Sequence, residues 1–255
     1  SWDTTSVSDG MHRLRITGHP SDGSSDIVVT TSSFEVDNTA PSSLVFTVDN
    51  AEIGDGSSIA NRAWFDIEES FLFHVANAWE EGDVLVLQAC RSDRGGIVTE
   101  PGSDVRNQLG QLHEWRFNMV TGEVASSALD EKFYCDFPRI NDDLVGYKNR
   151  YTYAARFRIQ DMPVFDGELK YDNETGEIQV HHFGEGCESG EAVFAPRIGA
   201  SEEDDGYIIC FVYDAGSESS ECHIIDARNF EGPPVARIKI PQRVPHGFHA
   251  SWVNS

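Results

Sequence analysis

From residue 64 to residue 252 no stretch keeps an apolar period of 3.6 residues long enough for a substantial helix, so the backbone has to satisfy its hydrogen bonds in sheets. Short β-rich runs alternate with turn residues. Two hairpins, residues 114–124 and 167–178, share a Thr-Gly-Glu turn, and the turns at Thr121 and Thr175 lie about 50 residues apart. A third run, residues 222–231 followed by 236–240, repeats the order of strand, polar turn and strand at a similar interval. Such a period with several strands per unit is what propeller blades show, because each small sheet hides its faces against its neighbours. A β-sandwich or an irregular β-barrel remains open on periodicity alone.

The 255 residues are 39% hydrophobic and 11% aromatic, enough for a sizeable core. No apolar run reaches the roughly 18 residues of a membrane-spanning helix, so no transmembrane segment is expected. The opening Ser1-Trp2-Asp3-Thr4-Thr5 lacks the basic end and apolar stretch of a signal peptide. Because the first residue is not Met, the chain is read as a candidate fragment or fusion, and its cellular location stays unknown. The net charge of -24, from 43 acidic and 19 basic residues, opposes contact with phosphate backbones and excludes nucleic acid as an expected partner. The acidity reads as a solvated surface, with residues 201–206 as an exposed turn. Five cysteines without a C-x-x-C pair signal neither a disulfide framework nor a zinc site, and are expected to be reduced and mostly buried.

Three regions are expected. Residues 1–41 read as short antiparallel strands, and the phrases at residues 2–10 and 36–41 resemble the last strands and exit linker of bacterial immunoglobulin-like modules. About 100 residues make a complete sandwich of that kind, so this would be an immunoglobulin-like β fragment. Residues 42–63, rich in Ser, Gly, Asp and Asn, suit a linker or a loosely held strand. Residues 64–255 form the main β domain.

Two segments carry candidate chemistry. His74 stands between an apolar strand and the polar turn Glu81-Gly82-Asp83, where a propeller would aim a side chain at its axis. A core histidine bonded to backbone carbonyls is the structural alternative. His246 and His249 flank Gly247-Phe248, a spacing that carries little by itself. His181 and His182, after a Thr-Gly-Glu turn, are expected to face solvent.

The motifs Phe73-His74-x-x-Asn77-Ala78-Trp79-Glu80-Glu81-Gly82-Asp83 and Arg243-Val244-Pro245-x-Gly247-Phe248-His249 resemble two signature segments of the carotenoid cleavage oxygenase family, also known for its retinal pigment epithelial membrane protein members. Stretches at residues 136–141, 146–153, 191–197 and 202–207 resemble the family in the same order, most closely its plant-type dioxygenases. The resemblance runs from about residue 64 to residue 252. It implies an all-β chain holding the C-terminal blades of a seven-bladed β-propeller, preceded by the short immunoglobulin-like segment. It also implies a non-haem dioxygenase that cleaves conjugated double bonds of carotenoids or apocarotenoids with O2 to give carbonyl products.

In that family four histidines hold one Fe(II). By position His74 and His249 would be metal ligands, Glu191 and Asp136 would hold the imidazoles from behind, and His246 would be a wall or supporting residue. No catalytic residue is expected beyond the metal site. Neutral imidazole suits iron, and a carboxylate on the far ring N–H sets the tautomer and raises ligand basicity. The two other family histidines come from earlier blades, and His12, His19, His113 and His223 match no ligand position, so weak activity or none is expected of this chain alone. A lipophilic polyene and O2 are the implied partners, with contact at a membrane surface and a cytoplasmic or plastid setting as further expectations. Two other readings stand beside this one: a non-catalytic β-domain that binds an apolar ligand or a protein, and an adhesion protein in which the immunoglobulin-like piece matters.

Overall fold

The computed structural model describes residues 64–95, 105–159, 164–245, 247 and 249–253 with their side chains, and the backbone of further short strands at residues 10–12, 15–18, 27–30, 34–36, 44–49 and 62–63. The chain divides into two compact units, residues 1–43 and 44–255. In the first unit β1 (Gly10–His12) pairs with β4 (Phe34–Val36) and β2 (Arg15–Gly18) with β3 (Ile27–Thr30), all antiparallel. The side chains on which an immunoglobulin-like reading rests lie outside the described residues. In the second unit β5 (Leu44–Asp49) pairs with β6 (Arg62–Ile67), so the segment read as a linker or loosely held strand contributes a strand.

The rest of the second unit is built from four-stranded antiparallel sheets, as the spacing of turns predicts. The first sheet runs β7 (Phe71–Glu81), β8 (Val84–Ser92), β9 (Gln111–Asn118) and β10 (Val124–Ala128). The second runs β11 (Cys135–Arg139), β12 (Tyr151–Arg158), β13 (Val164–Asp172) and β14 (Ile178–His182). In the third, β16 (Val193–Pro196), β17 (Gly206–Asp214), β18 (Ser219–Asp226) and β19 (Ala236–Ile240) follow in order, and the short β15 (Cys187–Ser189) bridges β13 to β17.

The repeated turn closes the third strand onto the fourth in the first two sheets. Asn118 accepts the N–H groups of Val120 and Thr121 on its side chain, and Gly122 sits at φ 76°. Asp172 accepts those of Glu174 and Thr175, and Gly176 sits at φ 73°. A side-chain acceptor ends the strand and a glycine takes the left-handed conformation that closes the turn. In the third sheet Asp226 accepts from Arg228 N–H, and a short 3-10 turn at Ala227–Asn229 replaces the glycine.

Each layer of core lies between consecutive sheets. Phe65, Ala89, Trp115 and Phe117 fill the space between β6 and the first sheet. Cys90, Leu112, Cys135, Ala154, Leu169 and Tyr171 fill the next, and Tyr153, Phe194, Ile208, Val212, Ile225 and Phe230 the one between the second and third sheets. Neighbours in sequence, such as Ala89 and Cys90 or Tyr153 and Ala154, serve opposite layers, because a strand points successive side chains to opposite faces. Covering on both faces explains the buried run over Thr152–Ala155 and over residues 167–171.

It also corrects the expectation for His181. That side chain is buried at 4% exposure, with Nδ1 2.8 Å from the carbonyl of Phe230, whereas His182 is exposed. His113 and His223 are buried too, against Ser126 Oγ at 2.7 Å and Glu221 at 3.1 Å. Burial, aided by the nearby Arg91 charge, depresses the His113 pKa to about 4. Glu168 is fully buried and makes no hydrogen bond among the described residues, and burial pushes its carboxyl well up.

A depressed histidine pKa stabilises the fold above the unfolded value near 6.5, and that contribution is lost as pH falls toward about 4. The stability difference between the native chain and His113→Gln should therefore shrink by up to about 1.4 kcal/mol per pH unit across that window in denaturant titrations. Glu168 acts with the opposite sign and cancels in the comparison. A difference independent of pH would show that His113 titrates normally.

Candidate functional site

Two histidines far apart in sequence meet on one side of the second unit. The rings of His74, on β7, and His249, in the segment after β19, have centroids 5.1 Å apart and cross edge-on at 76°. His74 Nδ1 lies 2.9 Å from Asp136 Oδ1 on β11. An ionised carboxylate only accepts, so against it Nδ1 is the donor and Nε2 is the ring nitrogen left for another partner. Both partners sit where strand pairing slips: β7 shifts register on either side of Val75, and β11 shifts between Asp136 and Arg139. Bulges of this kind re-aim side chains out of the regular alternation.

Phe137 completes the β11 bulge at φ 53°, a left-handed conformation that costs a bulky residue on the order of 1–3 kcal/mol. Its N–H donates to Asp136 Oδ1 at 2.8 Å, and its ring stands 4.8 Å from His74 and 5.8 Å from His249. Burial raises the Asp136 carboxyl above its ordinary range, and the hydrogen bond from His74 opposes that shift. The aromatic wall continues from Phe137 to Phe165 at 5.3 Å and from His74 to Phe73 at 6.2 Å.

Glu191 holds the other imidazole's segment. Its Oε2 accepts the N–H of Ala250 and lies 3.5 Å from His249 Nδ1, and its Oε1 pairs with Arg139 Nε at 3.0 Å. Arg139 in turn donates to the carbonyl of Ala250. One residue after His249 is thus gripped at both its N–H and its C=O by an ion pair that joins the second and third sheets. Gly190 stands against Gly247, where a Cβ would come within 3.3 Å of the Gly247 carbonyl oxygen. His249 is 63% exposed in its side chain and borders a groove of about 350 Å³ together with Glu191, Phe211, Val244 and Pro245.

The structure brings His74, Asp136, His249 and Glu191 together, and His246 lies outside the described residues. Sequence reading missed Arg139 as part of the site, although it falls in the quoted stretch at residues 136–141; the ion pair with Glu191 spans two sheets and leaves no local signal. It also missed that much of the His74 motif is structural. Asn77 donates to the carbonyls of Leu144 and Tyr147 and to Asn149, and accepts from Gly146 N–H, which ties β7 to the loop before β12. Glu81 binds Arg116, Lys148 and the Trp79 indole, and these partners lower its pKa to about 2.

Among the described residues no group of three or more His, Cys, Asp or Glu side chains is arranged to hold a metal ion. The two imidazoles nevertheless have the donor chemistry of metal ligands, each with a carboxylate on its Nδ1 side and Nε2 left over. They fit two positions of a metal site and do not complete one.

Comparison with known proteins gives the chain a family and a fold. The model of the family described as retinal pigment epithelial membrane protein matches residues 27–254, a span that begins inside the segment read as immunoglobulin-like. The carotenoid 9,10(9',10')-cleavage dioxygenase 1 of Pisum sativum is 39% identical over 209 residues, covering 74% of this chain and 38% of its own length. The carotenoid cleavage oxygenase of Mycobacterium tuberculosis is 34% identical over 204 residues, covering 74% of this chain and 39% of its own. The crystal structure of a cobalt-substituted Synechocystis apocarotenoid oxygenase superposes with a TM-score of 0.69 at 27% identity, over 77% of this chain and 42% of that one. The chain thus spans about two fifths of the length of the relatives it matches, and its sheets are blades of a β-propeller.

Removing the Glu191 acceptor should loosen the segment that carries His249. In Glu191→Ala, backbone hydrogen exchange at Ala250 should speed up roughly 10- to 100-fold, the equivalent of about 1.5–3 kcal/mol for a hydrogen bond to a charged group. Unchanged exchange in that segment would show that the clamp does not hold it.

Proposed function

Because the chain belongs to the retinal pigment epithelial membrane protein family, we propose that it is the C-terminal part of a non-haem Fe(II)-dependent dioxygenase that cleaves conjugated double bonds of carotenoids or apocarotenoids with O2. The observation that carries this reading is the approach of His74 and His249 to 5.1 Å, with Asp136 and Glu191 behind them. Relatives from a plant and a bacterium are named for carotenoid cleavage, and a structural relative is a cobalt-substituted form. Both facts support a metal-dependent oxygenase.

In this reading His74 and His249 would hold the iron. Bound iron would supply the activation of O2. Asp136 holds the His74 Nδ1 proton, which fixes the tautomer and raises the basicity of Nε2. Glu191 and Arg139 fix the backbone beside His249, so the second imidazole is held at its place without being buried. A lipophilic polyene would lie against the aromatic wall of Phe73, Phe137 and Phe165, which keeps water from the reacting double bond. Among the described residues no helix is long and apolar enough to cross a membrane, and delivery of the polyene from a membrane surface remains part of the proposal. Among the described residues two imidazoles meet where the family resemblance implies four, and on this reading the chain by itself is weakly active or inactive.

Anaerobic loading with Fe(II) tests the site directly. The native chain should retain iron weakly, His74→Ala and His249→Ala should reduce it to background, and Asp136→Ala should weaken it by roughly 10- to 100-fold. Iron at background in every sample would favour the second reading, a non-catalytic β-domain that binds an apolar ligand or a protein partner. Incubation with an apocarotenoid and O2 should give little carbonyl product, and turnover by the purified chain would overturn the view that two imidazoles are insufficient.

A further inference from the structure

Four of the five cysteines are buried, and two of them meet. Cys90 on β8 and Cys135 on β11, 45 residues apart in sequence, place their Sγ atoms 3.8 Å from each other in the core layer between the first and second sheets. Gly110 makes the approach feasible: a Cβ there would stand 2.7 Å from the Cys135 carbonyl oxygen and 3.0 Å from Cys90 Cβ. The Cys135 N–H donates to the Gly110 carbonyl at 2.7 Å, which holds β11 against the start of β9, the strand paired with β8. The Tyr171 hydroxyl lies 3.5 Å from Cys135 Sγ and donates to the buried Asp130 carboxylate at 3.0 Å. The proposed iron site uses none of these groups, although Cys135 immediately precedes Asp136 on the same strand.

We propose that Cys90 and Cys135 form a modification site, a thiol pair that a peroxide oxidises to a disulfide joining the first and second sheets. The sulfurs have to close to about 2.0 Å. The Cys135 sulfur attacks one oxygen of hydrogen peroxide; the O–O bond breaks, that oxygen stays on the sulfur as a sulfenic acid, and the thiol proton leaves with the other oxygen as water. Cys90 then attacks the sulfenic sulfur; the S–S bond forms, the S–O bond breaks, and a second water leaves with the Cys90 proton. Two thiols and one hydrogen peroxide give one disulfide and two waters, so the sulfurs lose the two electrons that the peroxide gains. The hydrogen bond with Cys135, together with burial, holds the Cys90 thiol in its protonated form well beyond the usual range, which makes the reaction slow compared with an exposed low-pKa thiol.

The test is a non-reducing peptide map and intact mass of the chain after treatment with hydrogen peroxide, in a Cys222→Ser background that removes the half-buried thiol. A loss of two hydrogens, a cross-linked pair of peptides containing Cys90 and Cys135, reversal by dithiothreitol and a rise in Tm of roughly 5–10 °C would support the site. Cys135→Ala should abolish the cross-link, and Gly110→Ala, which keeps both thiols but crowds them apart, should lower its yield several-fold. Recovery of both as free thiols, conversion of either to a sulfinic acid without cross-linking, or a cross-link through Cys187 or Cys210 would overturn the proposal. The map of the otherwise native chain decides the matter even if a core variant fails to fold.

Discussion

A four-stranded antiparallel sheet with apolar residues on both faces cannot be stable alone, and the rest of this molecule follows from that need. Each sheet presents one set of side chains to the sheet before it and the alternate set to the sheet after it. Tyr153 and Ala154, adjacent on β12, belong to different core layers for this reason. Stacking converts a local period of two into a continuous series of cores, and every strand that carries a site residue is placed by the layer behind it.

The candidate site is assembled across those layers and not within any one of them. His74 belongs to the first sheet, Asp136 and Arg139 to the second, Glu191 to the turn between β15 and β16, and His249 to the segment beyond β19. Regular strands would point these side chains into the cores on either side. The bulges at Val75 and at Asp136 to Arg139, with Phe137 in a left-handed conformation, turn His74 and Asp136 toward each other instead. Local strain at Phe137 is offset by the Asp136 carboxylate, which takes both the Phe137 N–H and the His74 ring. The loop before β12 is held in the same way from a distance, through Asn77.

Much of this was legible from residues alone. The Thr-Gly-Glu turns, each preceded by Asn118 or Asp172 as an acceptor, marked the closure of the third strand onto the fourth, because the chemistry of such a turn is contained within five residues. Resemblance to a family picked out His74 and His249. The burial of His181 was misread because alternation along one strand does not say whether its second face is covered. The clamp of Glu191 and Arg139 on Ala250 was invisible because its parts are separated by 111 residues between Arg139 and Ala250 and joined only when the sheets stack.

By itself, then, the sequence determined an all-β chain with repeated hairpins, the absence of substantial helices, and the identity of the imidazoles and carboxylates that could do chemistry. These depend on side-chain type and spacing over a few residues, where the physics is local. Only the tertiary structure decided which carboxylate serves which histidine, that an arginine and a strained phenylalanine belong to the same site, and that Cys90 and Cys135 touch. Those are contacts between separate sheets, and their distances are set by how the core layers pack and by the close approach that Gly110 and Gly190 permit, which no window of sequence contains.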